Sequence, residues 1–367
     1  MEIIFIVSVF LYLILHVIFL FGYLRSSSLK QNPDNLNIKI SVIVAARNEE
    51  NIISNCIESL KNLHYEKSLL EIFLVNDKST DRTKEIMLES TKGYPEFIVL
   101  DSDNTETKNL KGKANAIDSA VKSASGDIIL MTDADCNVPP GWVKETVKYF
   151  LGNVEMVCGF TKINYKNSMF AKLQALDWIY LQALASCSSG IGSILSCIGN
   201  NLTFSKKVYN EIGGYSSINF SVTEDLALMR RINSDSKYKV IYPVNPECAV
   251  LTEECKTVKE LYNQKKRWFK GGLGINFLGW ILGFDMYAVN LMLVAGLFFL
   301  NPLMYLLLIF IKFISELMIM IPVHNKLKFK GVFTLFPIFQ LYFAAYGLLL
   351  PLTFLLGTKI SWKERKH

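Results

Sequence analysis

Apolar sequence fills the start of the chain and returns only in its last third. The first run, Ile3 to Leu24, carries no formal charge and is about as long as an α-helix must be to cross the hydrocarbon core of a membrane. Two further runs extend from Ile275 to Val323 and from Gly331 to Gly357. The pattern predicts membrane segments on both sides of a central domain.

The first run predicts an uncleaved anchor rather than a signal peptide. Only Met1 and Glu2 precede it, and bulky residues fill it to its end. Arg25, Lys30 and Lys39 follow it. Because cationic residues concentrate on the cytoplasmic side of membrane helices, we predict that the central domain lies in the cytoplasm.

The two later runs predict three more membrane segments. The run from Ile275 to Val323 is long enough for two helices, which Asn301-Pro302 would separate. The last run contains Pro337, Gly347 and Pro351, so it either crosses the membrane or bends back as a re-entrant hairpin. Basic residues flank this run on both sides, and one straight crossing cannot place both groups in the cytoplasm.

Short runs of Val, Ile and Leu alternate with helical periodicity through the central domain. The predicted strands are 40–46, 71–77, 97–103 and 127–135, and the predicted helices are Glu49 to Asn62, Asp81 to Thr91 and Lys113 to Ala124. Nearly continuous hydrophobicity is typical of parallel strands that are buried on both faces. The order predicts an α/β fold with an open, mostly parallel sheet, in which ligands bind beyond the carboxyl ends of the strands.

Composition supports a membrane protein and excludes a disordered one. Of the 367 residues, 51% are hydrophobic, and the mean hydropathy is +0.26. The excess of 39 Lys and Arg over 33 Asp and Glu is small, which suits an anionic membrane surface better than nucleic acid. The 7 cysteines include no CxxC pair, so we expect buried thiols rather than a zinc site or a disulfide framework.

Polar residues follow the predicted strands, in the segments ARNEE, NDKSTD and DAD. Helix capping would explain a single residue such as Asn48, but together the segments predict a site. Asp133 and Asp135 stand two residues apart after a strand, so both carboxylates can face one Mg²⁺ or Mn²⁺. The chain has no GxxxxGK[ST] loop and no GxGxxG before its first helix. Lys111 and Lys113 are therefore candidates for phosphate contact, unless they form only a solvated basic turn.

The segment Thr223-Glu224-Asp225 precedes a helical pattern. Its simplest role is structural, with Thr223 as the cap and the acidic residues stabilised by the helix dipole. The alternative is catalytic, because transfer to an alcohol needs a base that takes the proton of the attacking hydroxyl.

The segment KELYNQKKRWFKGG at 259–272 is basic and amphipathic. Lys265 and Lys266 belong to its predicted cationic side, and an interfacial helix on the membrane is the conservative interpretation. Gln264, Arg267 and Trp268 could also serve a substrate, since Arg binds diphosphate and Trp stacks on sugars.

In chain order, the segments ARNEE, VNDKSTD, KGKANA, TDADC, GNNLTF, TED and QKKRW resemble the motifs of membrane-embedded, inverting family 2 glycosyltransferases. The resemblance covers about residues 39–272 and the flanking anchors. It implies a GT-A type nucleotide-sugar-binding sheet with flanking transmembrane helices. It also implies a hexosyl- or N-acetylhexosaminyltransferase that depends on Mg²⁺ or Mn²⁺ and uses a nucleotide-diphosphate sugar, with UDP as the expected nucleotide.

The resemblance assigns roles to the residues at matching positions. The uridine would be held by Arg47, Glu49 and Asp77, and Lys113 would lie near the nucleotide. Asp133 would contact the nucleotide sugar, Asp135 would ligate the metal, and Asp225 would be the catalytic base with Glu224 beside it. Asn201 would lie near the acceptor, and the residues that close over the diphosphate and the acceptor would be Gln264, Arg267 and Trp268. Asn76 stands where many members carry a second Asp. This difference leaves a secondary nucleotide contact open.

The boundaries of the predicted parts follow from these patterns. They are an anchor (1–25), a cytoplasmic glycosyltransferase domain (38–255), an amphipathic interfacial helix (256–274), a transmembrane region (275–357) and a basic tail (358–367). The tail sequence Ile360-Ser361-Trp362-Lys363 resembles that of lipid-directed members. The resemblance thus implies a multi-pass protein of the cell (inner) membrane.

We predict a lipid hydroxyl as the acceptor, because about four membrane segments leave no obvious pore for a polymer. A processive polysaccharide synthase is the alternative, with an oligomer or a partner subunit completing a pore. A catalytically idle nucleotide-binding protein would not need the complete acidic set. Against a transporter, we expect no repeat and no buried charge pair in the apolar runs. No nucleic acid partner is expected.

Overall fold

The computed structural model describes residues 2–33, 37–104, 106–165, 168–355, 361–362 and 365–366, with side chains as far as residue 353. The chain divides into two compact units. The helical unit comprises Met1–Ser28, Ile163–Ser196 and Glu254–His367, and the α/β unit comprises Leu29–Lys162 and Cys197–Glu253. The segment 163–196, which the sequence analysis assigns to the glycosyltransferase domain, is thus grouped with the membrane helices.

The described residues form strands, α-helices and short 3-10 helices. The strands are β1 (Ile40–Ala46), β2 (Leu70–Asn76), β3 (Phe97–Asp101), β4 (Ile128–Asp133), β5 (Cys136–Asn137), β6 (Val154–Cys158), β7 (Thr161–Ile163), β8 (Leu202–Ser205), β9 (Lys239–Ile241), β10 (Val250–Thr252), β11 (Ser361–Trp362) and β12 (Arg365–Lys366). The α-helices are α1 (Glu2–Ser27), α2 (Ile53–Lys61), α3 (Thr83–Ser90), α4 (Lys113–Ser123), α5 (Trp142–Val147), α6 (Met169–Gly190), α7 (Lys206–Glu211), α8 (Glu224–Asn233), α9 (Val258–Gly272), α10 (Phe277–Phe299), α11 (Pro302–Lys326) and α12 (Phe336–Leu355). The 3-10 helices are Lys67–Leu69, Tyr215–Ser217, Pro246–Cys248 and Phe333–Leu335.

A seven-stranded sheet in the order β3-β2-β1-β4-β8-β6-β9 organises the α/β unit. The strands β3, β2, β1 and β4 are parallel, β8 is antiparallel to β4 and β6, and β9 is parallel to β6. The predicted α/β fold with a mostly parallel sheet is confirmed. Because the chain moves outward from β1 to β3 and then resumes at β4 on the other side, β1 and β4 flank a topological switch point. Open α/β sheets bind their ligands at such points.

The four predicted strands are all present, with small shifts at their ends. The strand β1 covers the predicted residues 40–46, whereas β4 ends at Asp133, so that Asp135 lies in the turn after it. The predicted helices begin later or end earlier, as α2 does at Ile53, because the residues after each strand form loops. The strands β6, β8 and β9, which extend the sheet beyond β4, are not predicted from the sequence.

The core of the α/β unit lies between the sheet and the helices α2 and α5. Val42 of β1 and Leu74 of β2 are fully buried together with Ile57 of α2 and Trp142 of α5. Burial of such side chains stabilises the fold by about 1.5–3 kcal/mol each relative to exposure. This packing fixes the carboxyl ends of β1, β2 and β4 relative to one another.

Among the described residues, four helices of the helical unit are long and apolar enough to cross a membrane: Glu2–Ser27, Phe277–Phe299, Pro302–Lys326 and Phe333–Thr353. The turn between the second and third falls at Asn301, as predicted, and the Asn301 side chain caps α11 by accepting from the Leu303 amide at 2.9 Å. The last run forms one helix over its described residues, so the hairpin alternative is wrong there. Large apolar side chains such as Phe298 remain exposed, as contact with lipid tails would require.

A buried polar cluster joins the helices of the helical unit. Within α11, the Lys312 ammonium lies 2.6 Å from the Glu316 carboxylate, and both side chains are inaccessible to solvent. Tyr12 of α1 donates to Glu316 at 2.9 Å, and Gln340 of α12 donates to its other oxygen at 2.5 Å. Our expectation that the apolar runs contain no buried charge pair is therefore wrong. The i, i+4 spacing of the two charges on one helix face is the signal that predicts their contact.

The C-terminal tail is described only in part. The strands β11 and β12 pair in an antiparallel manner. Ile360 and Lys363, the outer residues of the predicted Trp-Lys tail motif, lie outside the described residues.

Candidate active site

Hydrogen bonds join the loops that follow β1 and β2. The Asn48 amide donates to the Ser79 hydroxyl at 3.1 Å, and the Asn48 side-chain oxygen accepts from the Thr80 amide at 2.9 Å. The Glu49 amide donates to the Thr83 hydroxyl at 2.7 Å. Asn48 has a φ of 54°, in the left-handed region that Asn tolerates better than most residues. The polar segments ARNEE and NDKSTD therefore support each other.

Arg47 and Asp77 lie together within this pair of loops. The Arg47 guanidinium donates to the Asp77 carbonyl oxygen at 3.2 Å, and the Asp77 amide donates to the Ala46 carbonyl at 2.8 Å. The Asp77 side chain is buried and accepts from the Ser102 hydroxyl at 3.3 Å. Thus two of the residues expected at the uridine are adjacent, and Glu49 lies on the same joined loops.

Asn76 has a structural role that explains its departure from the family pattern. Its amide nitrogen donates to Asp101 at 2.8 Å, and its oxygen accepts from the Ser79 amide at 3.2 Å. A carboxylate at this position could not donate to Asp101 and would repel its charge. Sequence analysis alone does not reveal this role, because Asp101 becomes a neighbour only when β2 and β3 pair.

Lys113 connects the two acidic motifs of the α/β unit. Its ammonium lies 2.5 Å from the carboxylate of Asp133, at the end of β4, and 3.2 Å from that of Glu224, at the start of α8. Burial opposes the charged amine, but the carboxylates of Asp133 and Glu224 outweigh it and hold the pKa of Lys113 above its usual value. Lys113 therefore stays protonated and brings the DxD and TED segments into one cluster.

Asp133 and Asp135 form the predicted carboxylate pair. The Asp135 side chain opens to solvent on one side. Its pKa is nevertheless raised, because the protein atoms around it desolvate the carboxylate and the charge of Asp133 is close. A divalent cation would relieve this repulsion.

The donor set fits a hard cation that keeps water or substrate ligands. Among the described residues, no group of three or more His, Cys, Asp or Glu side chains could enclose a metal ion. Mg²⁺ and Mn²⁺ do not need such a cage, because one or two carboxylates with water and phosphate oxygens complete their coordination. Asp133 and Asp135 are therefore suitable ligands.

Asp225 lies at the first turn of α8, beside Glu224. Its carboxylate accepts from the Leu226 amide at 2.8 Å and contributes to the raised pKa of Lys113. Thr223 is the N-cap residue, as expected, but its side chain makes no capping hydrogen bond. The structural interpretation of the TED segment thus accounts for its position, while the proximity of Lys113 supports the catalytic one.

Gly199 provides the space that Asp225 occupies. A Cβ atom at Gly199 would lie 2.9 Å from Asp225 Oδ2 and 3.0 Å from its Cβ. Real Cβ atoms essentially never approach so closely, so a side chain here would displace the carboxylate. This role of Gly199 is not predicted from the sequence, where its place at the start of GNNLTF is the one signal for it.

Asn201, expected near the acceptor, is committed to the core of the α/β unit. Its amide nitrogen donates to the carbonyls of Phe160 and Cys248, both at 2.8 Å, and its oxygen accepts from the Trp142 indole at 2.9 Å. The side chain is buried. Because it holds three chain segments together, Asn201 has a structural role, and its place near the acceptor stays a prediction.

Gln264, Arg267 and Trp268 lie on α9 of the helical unit, which begins after the Thr257 cap. The rings of Trp268 and Trp178 are 5.4 Å apart. Lys265 and Lys266, which are predicted to belong to a cationic side of this helix, are both buried. Lys265 is buried because it pairs with a carboxylate on α6, and the sequence of α9 alone cannot indicate such a partner.

Half of the chain matches a known protein family. Residues 41–227 match the family model described as "Glycosyl transferase family 2". The matched region contains the DxD and TED segments and both loops after β1 and β2.

Two similar curated proteins are named for different products, a glucosyl lipid and a polysaccharide. A beta-monoglucosyldiacylglycerol synthase of Synechocystis sp. (strain ATCC 27184 / PCC 6803 / Kazusa) is 28% identical over 270 residues, which cover 69% of this chain and 54% of that protein. A poly-beta-1,6-N-acetyl-D-glucosamine synthase of Staphylococcus aureus (strain MSSA476) is 29% identical over 252 residues, which cover 67% of this chain and 58% of that protein. The chain thus spans little more than half the length of these relatives.

The fold also resembles a solved glycosyltransferase. The mannosyltransferase PcManGT from Pyrobaculum calidifontis, determined in complex with GDP-Man and Mn²⁺, aligns with a TM-score of 0.62 and 15% sequence identity. The alignment covers 90% of this chain and 99% of that one. At this level of identity the likeness establishes a common fold.

Proposed function

Because the chain belongs to glycosyl transferase family 2, we propose that it is a membrane-bound inverting glycosyltransferase. It transfers a hexosyl or N-acetylhexosaminyl group from a nucleotide-diphosphate sugar, with UDP as the proposed nucleotide, to the hydroxyl group of a lipid. The observation that carries this proposal is the cluster around Lys113, which joins Asp133 and Glu224 beside the switch point of the sheet.

Asp225 is the proposed catalytic base. Its carboxylate takes the proton of the acceptor hydroxyl while the hydroxyl oxygen attacks the anomeric carbon of the donor sugar. The bond from that carbon to the diphosphate oxygen breaks with its electron pair on the diphosphate, and the configuration inverts. Glu224 forms an ion pair with Lys113, and the motif resemblance assigns the proton to its neighbour Asp225.

The nucleotide and the leaving group need different partners. The proposed uridine contacts are Arg47, Glu49 and Asp77, on the joined loops after β1 and β2. Asp135, assisted by Asp133, is the proposed ligand of Mg²⁺ or Mn²⁺, which when bound neutralises charge on the departing diphosphate. We further propose, from the motif resemblance, that Gln264, Arg267 and Trp268 bind the diphosphate and the acceptor.

A lipid acceptor is favoured by two observations. The described residues contain four helices long enough to span a membrane, and we take this number to favour transfer to a lipid over a built-in channel for a growing polymer. The similarity to a beta-monoglucosyldiacylglycerol synthase supports the same acceptor class. The second candidate, a processive polysaccharide synthase, is favoured by the similarity to a poly-beta-1,6-N-acetyl-D-glucosamine synthase. It would need an oligomer or a partner subunit to complete a pore.

We propose a multi-pass location in the cell (inner) membrane with the α/β unit on the cytoplasmic side. The basic residues Arg25 and Lys30 after the first membrane helix support this orientation. Nucleotide sugars would then reach the site from the cytoplasm.

The test compares membranes that contain the wild type with membranes that contain Asp225→Asn. Both are incubated with Mg²⁺ or Mn²⁺ and a panel of radiolabelled UDP-sugars, and the label is then partitioned between organic and aqueous phases. We expect label in the organic phase with the wild type alone, and a loss of at least about 10³-fold in Asp225→Asn, because the variant lacks the proton acceptor. UDP affinity should be unchanged in this variant.

A second arm of the same experiment tests the metal site. Asp135→Ala and chelation of divalent cations should each weaken UDP binding, whereas Asp225→Asn should not. Turnover that persists in Asp225→Asn would refute the assignment of the base. Label that accumulates in an aqueous or insoluble polymer would instead identify a polysaccharide synthase.

A further inference from the structure

Asp177 is a fully buried carboxylate in the middle of α6 that no part of the proposed mechanism uses. It forms an ion pair with Lys265 of α9 and accepts a hydrogen bond from Tyr346 of α12. The Tyr342 hydroxyl lies 3.5 Å from its other oxygen. One carboxylate therefore joins three helices of the helical unit.

Lys265 links the Asp177 carboxylate to the Trp268 ring of α9. It stands between Gln264 and Arg267 in the sequence and is 4% exposed. Its ammonium lies 4.6 Å from the centre of the Trp268 ring and 4.9 Å from that of Tyr346. These distances are within the range of favourable cation–π contact.

The residue after Asp177 supports the same ring from another direction. Trp178 packs against Trp268 with ring centres 5.4 Å apart and planes inclined by 59°. The Trp268 indole thus contacts both the cation that Asp177 holds and the aromatic side chain next to Asp177. The orientation of the Trp268 ring therefore depends on α6 as well as on α9.

We propose that Asp177 is a positioning residue for glycosyl transfer, which acts through Lys265 to fix the orientation of Trp268. The inference rests on the proposed function, in which Trp268 binds the acceptor. If the Trp268 ring were misplaced, the nucleotide site would stay intact, but the acceptor hydroxyl would lie in the wrong geometry for attack.

A second buried ion pair of the helical unit provides the matched control. Lys312 and Glu316 are as deeply buried, but both lie on α11, and they bond to Tyr12 of α1 and Gln340 of α12. A purely structural role would make the two pairs equivalent in their effect on transfer. A positioning role distinguishes them.

The experiment measures transfer with saturating donor and acceptor, UDP affinity and thermal stability in membranes or detergent. Asp177→Asn should lower kcat about 10- to 100-fold while UDP affinity changes less than about twofold. Asp177→Glu keeps the charge and should recover most of the loss. The double variant Lys312→Gln with Glu316→Gln should change the melting temperature but alter kcat by less than about twofold.

A double-mutant cycle tests the route through Trp268. In a Trp268→Phe background, which retains an aromatic ring, Asp177→Asn should lower kcat by less than about threefold, because the residue through which Asp177 acts has already changed. Equal effects of Asp177→Asn in both backgrounds would overturn the inference. So would equal losses of kcat in Asp177→Asn and in the Lys312 and Glu316 variant.

The result separates this inference from the proposed function. Transfer that is abolished in Asp225→Asn but unaffected by Asp177→Asn would leave the proposed function intact and refute the positioning role. If wild-type membranes transfer no sugar from any donor, the proposed function and the positioning role are both refuted, because the positioning role depends on the reaction.

Discussion

A single lysine joins acidic residues that are 91 positions apart in the chain, Asp133 and Glu224. The sequence indicates Lys113 only as a candidate for phosphate contact, because its carboxylate partners cannot be identified before β4 and α8 come together. The acidic residues themselves were easier to predict, since Asp133 and Asp135 directly follow a recognisable strand. At the scale of residues, composition and position predict the chemical groups, but not which groups pair.

Gly199 offers a test of the space that the base requires. Gly199→Ala should displace the Asp225 carboxylate and lower kcat about 10- to 100-fold, because the new Cβ would lie within 3 Å of it. Gly141→Ala is a suitable control, since the nearest atom to its new Cβ is 3.6 Å away. Transfer assays on the two variants decide the matter, and normal turnover in Gly199→Ala would contradict the close approach.

At the scale of elements, the first four strands are predictable and the far half of the sheet is not. The strands β1 to β4 are continuous apolar runs separated by helices, which is the pattern of a parallel sheet. By contrast, β8 and β9 have only four and three residues and join the sheet through partners distant in the chain. Their place depends on long-range pairing, for which a short run of sequence carries little information.

Asn201, at the entry to β8, tests how this far half is held. Asn201→Ala should lower the free energy of unfolding by about 3 kcal/mol, because two carbonyls and the Trp142 indole would lose their buried partner. Chemical denaturation followed by tryptophan fluorescence measures the change.

The matched control for this variant is Asn153→Ala. Asn153 is exposed and makes one side-chain hydrogen bond, at 3.2 Å to the Lys237 carbonyl, so the expected change is within about 0.5 kcal/mol. If Asn201→Ala unfolds like the control but loses acceptor affinity, the structural role is refuted and the predicted acceptor contact is supported.

At the scale of the whole molecule, hydropathy predicts the number of membrane helices, but not which of their side chains contact one another. The four apolar helices agree with the four predicted segments. The charges within them were not correctly interpreted, because a pair such as Lys312 and Glu316 is compatible with an apolar helix when both side chains face its neighbours. The segment 163–196, predicted as part of the glycosyltransferase domain, is grouped with the helical unit, because α6 packs against helices that lie far from it in the chain.

The membrane topology can be tested with single cysteines, because six of the seven native thiols are buried and Cys255 can be replaced by Ser. With the α/β unit in the cytoplasm, four crossings place Asn301→Cys and Ser361→Cys outside and Lys330→Cys inside. A membrane-impermeant maleimide should therefore label the first two in intact cells and the third only after permeabilisation. Protection of Ser361→Cys would mean that the last apolar run does not cross.

The polar cluster of the helical unit has a consequence for the order of events during biosynthesis. Tyr12 bonds to Glu316, 304 positions later in the chain. At a synthesis rate of about 5–20 residues per second, roughly 15–60 seconds separate the two residues at the ribosome. Throughout that interval the first helix must be retained in the membrane by its own apolar surface, with Tyr12 lacking its final partner. The first membrane helix therefore obtains its buried hydrogen-bond partner only after α11 has been made.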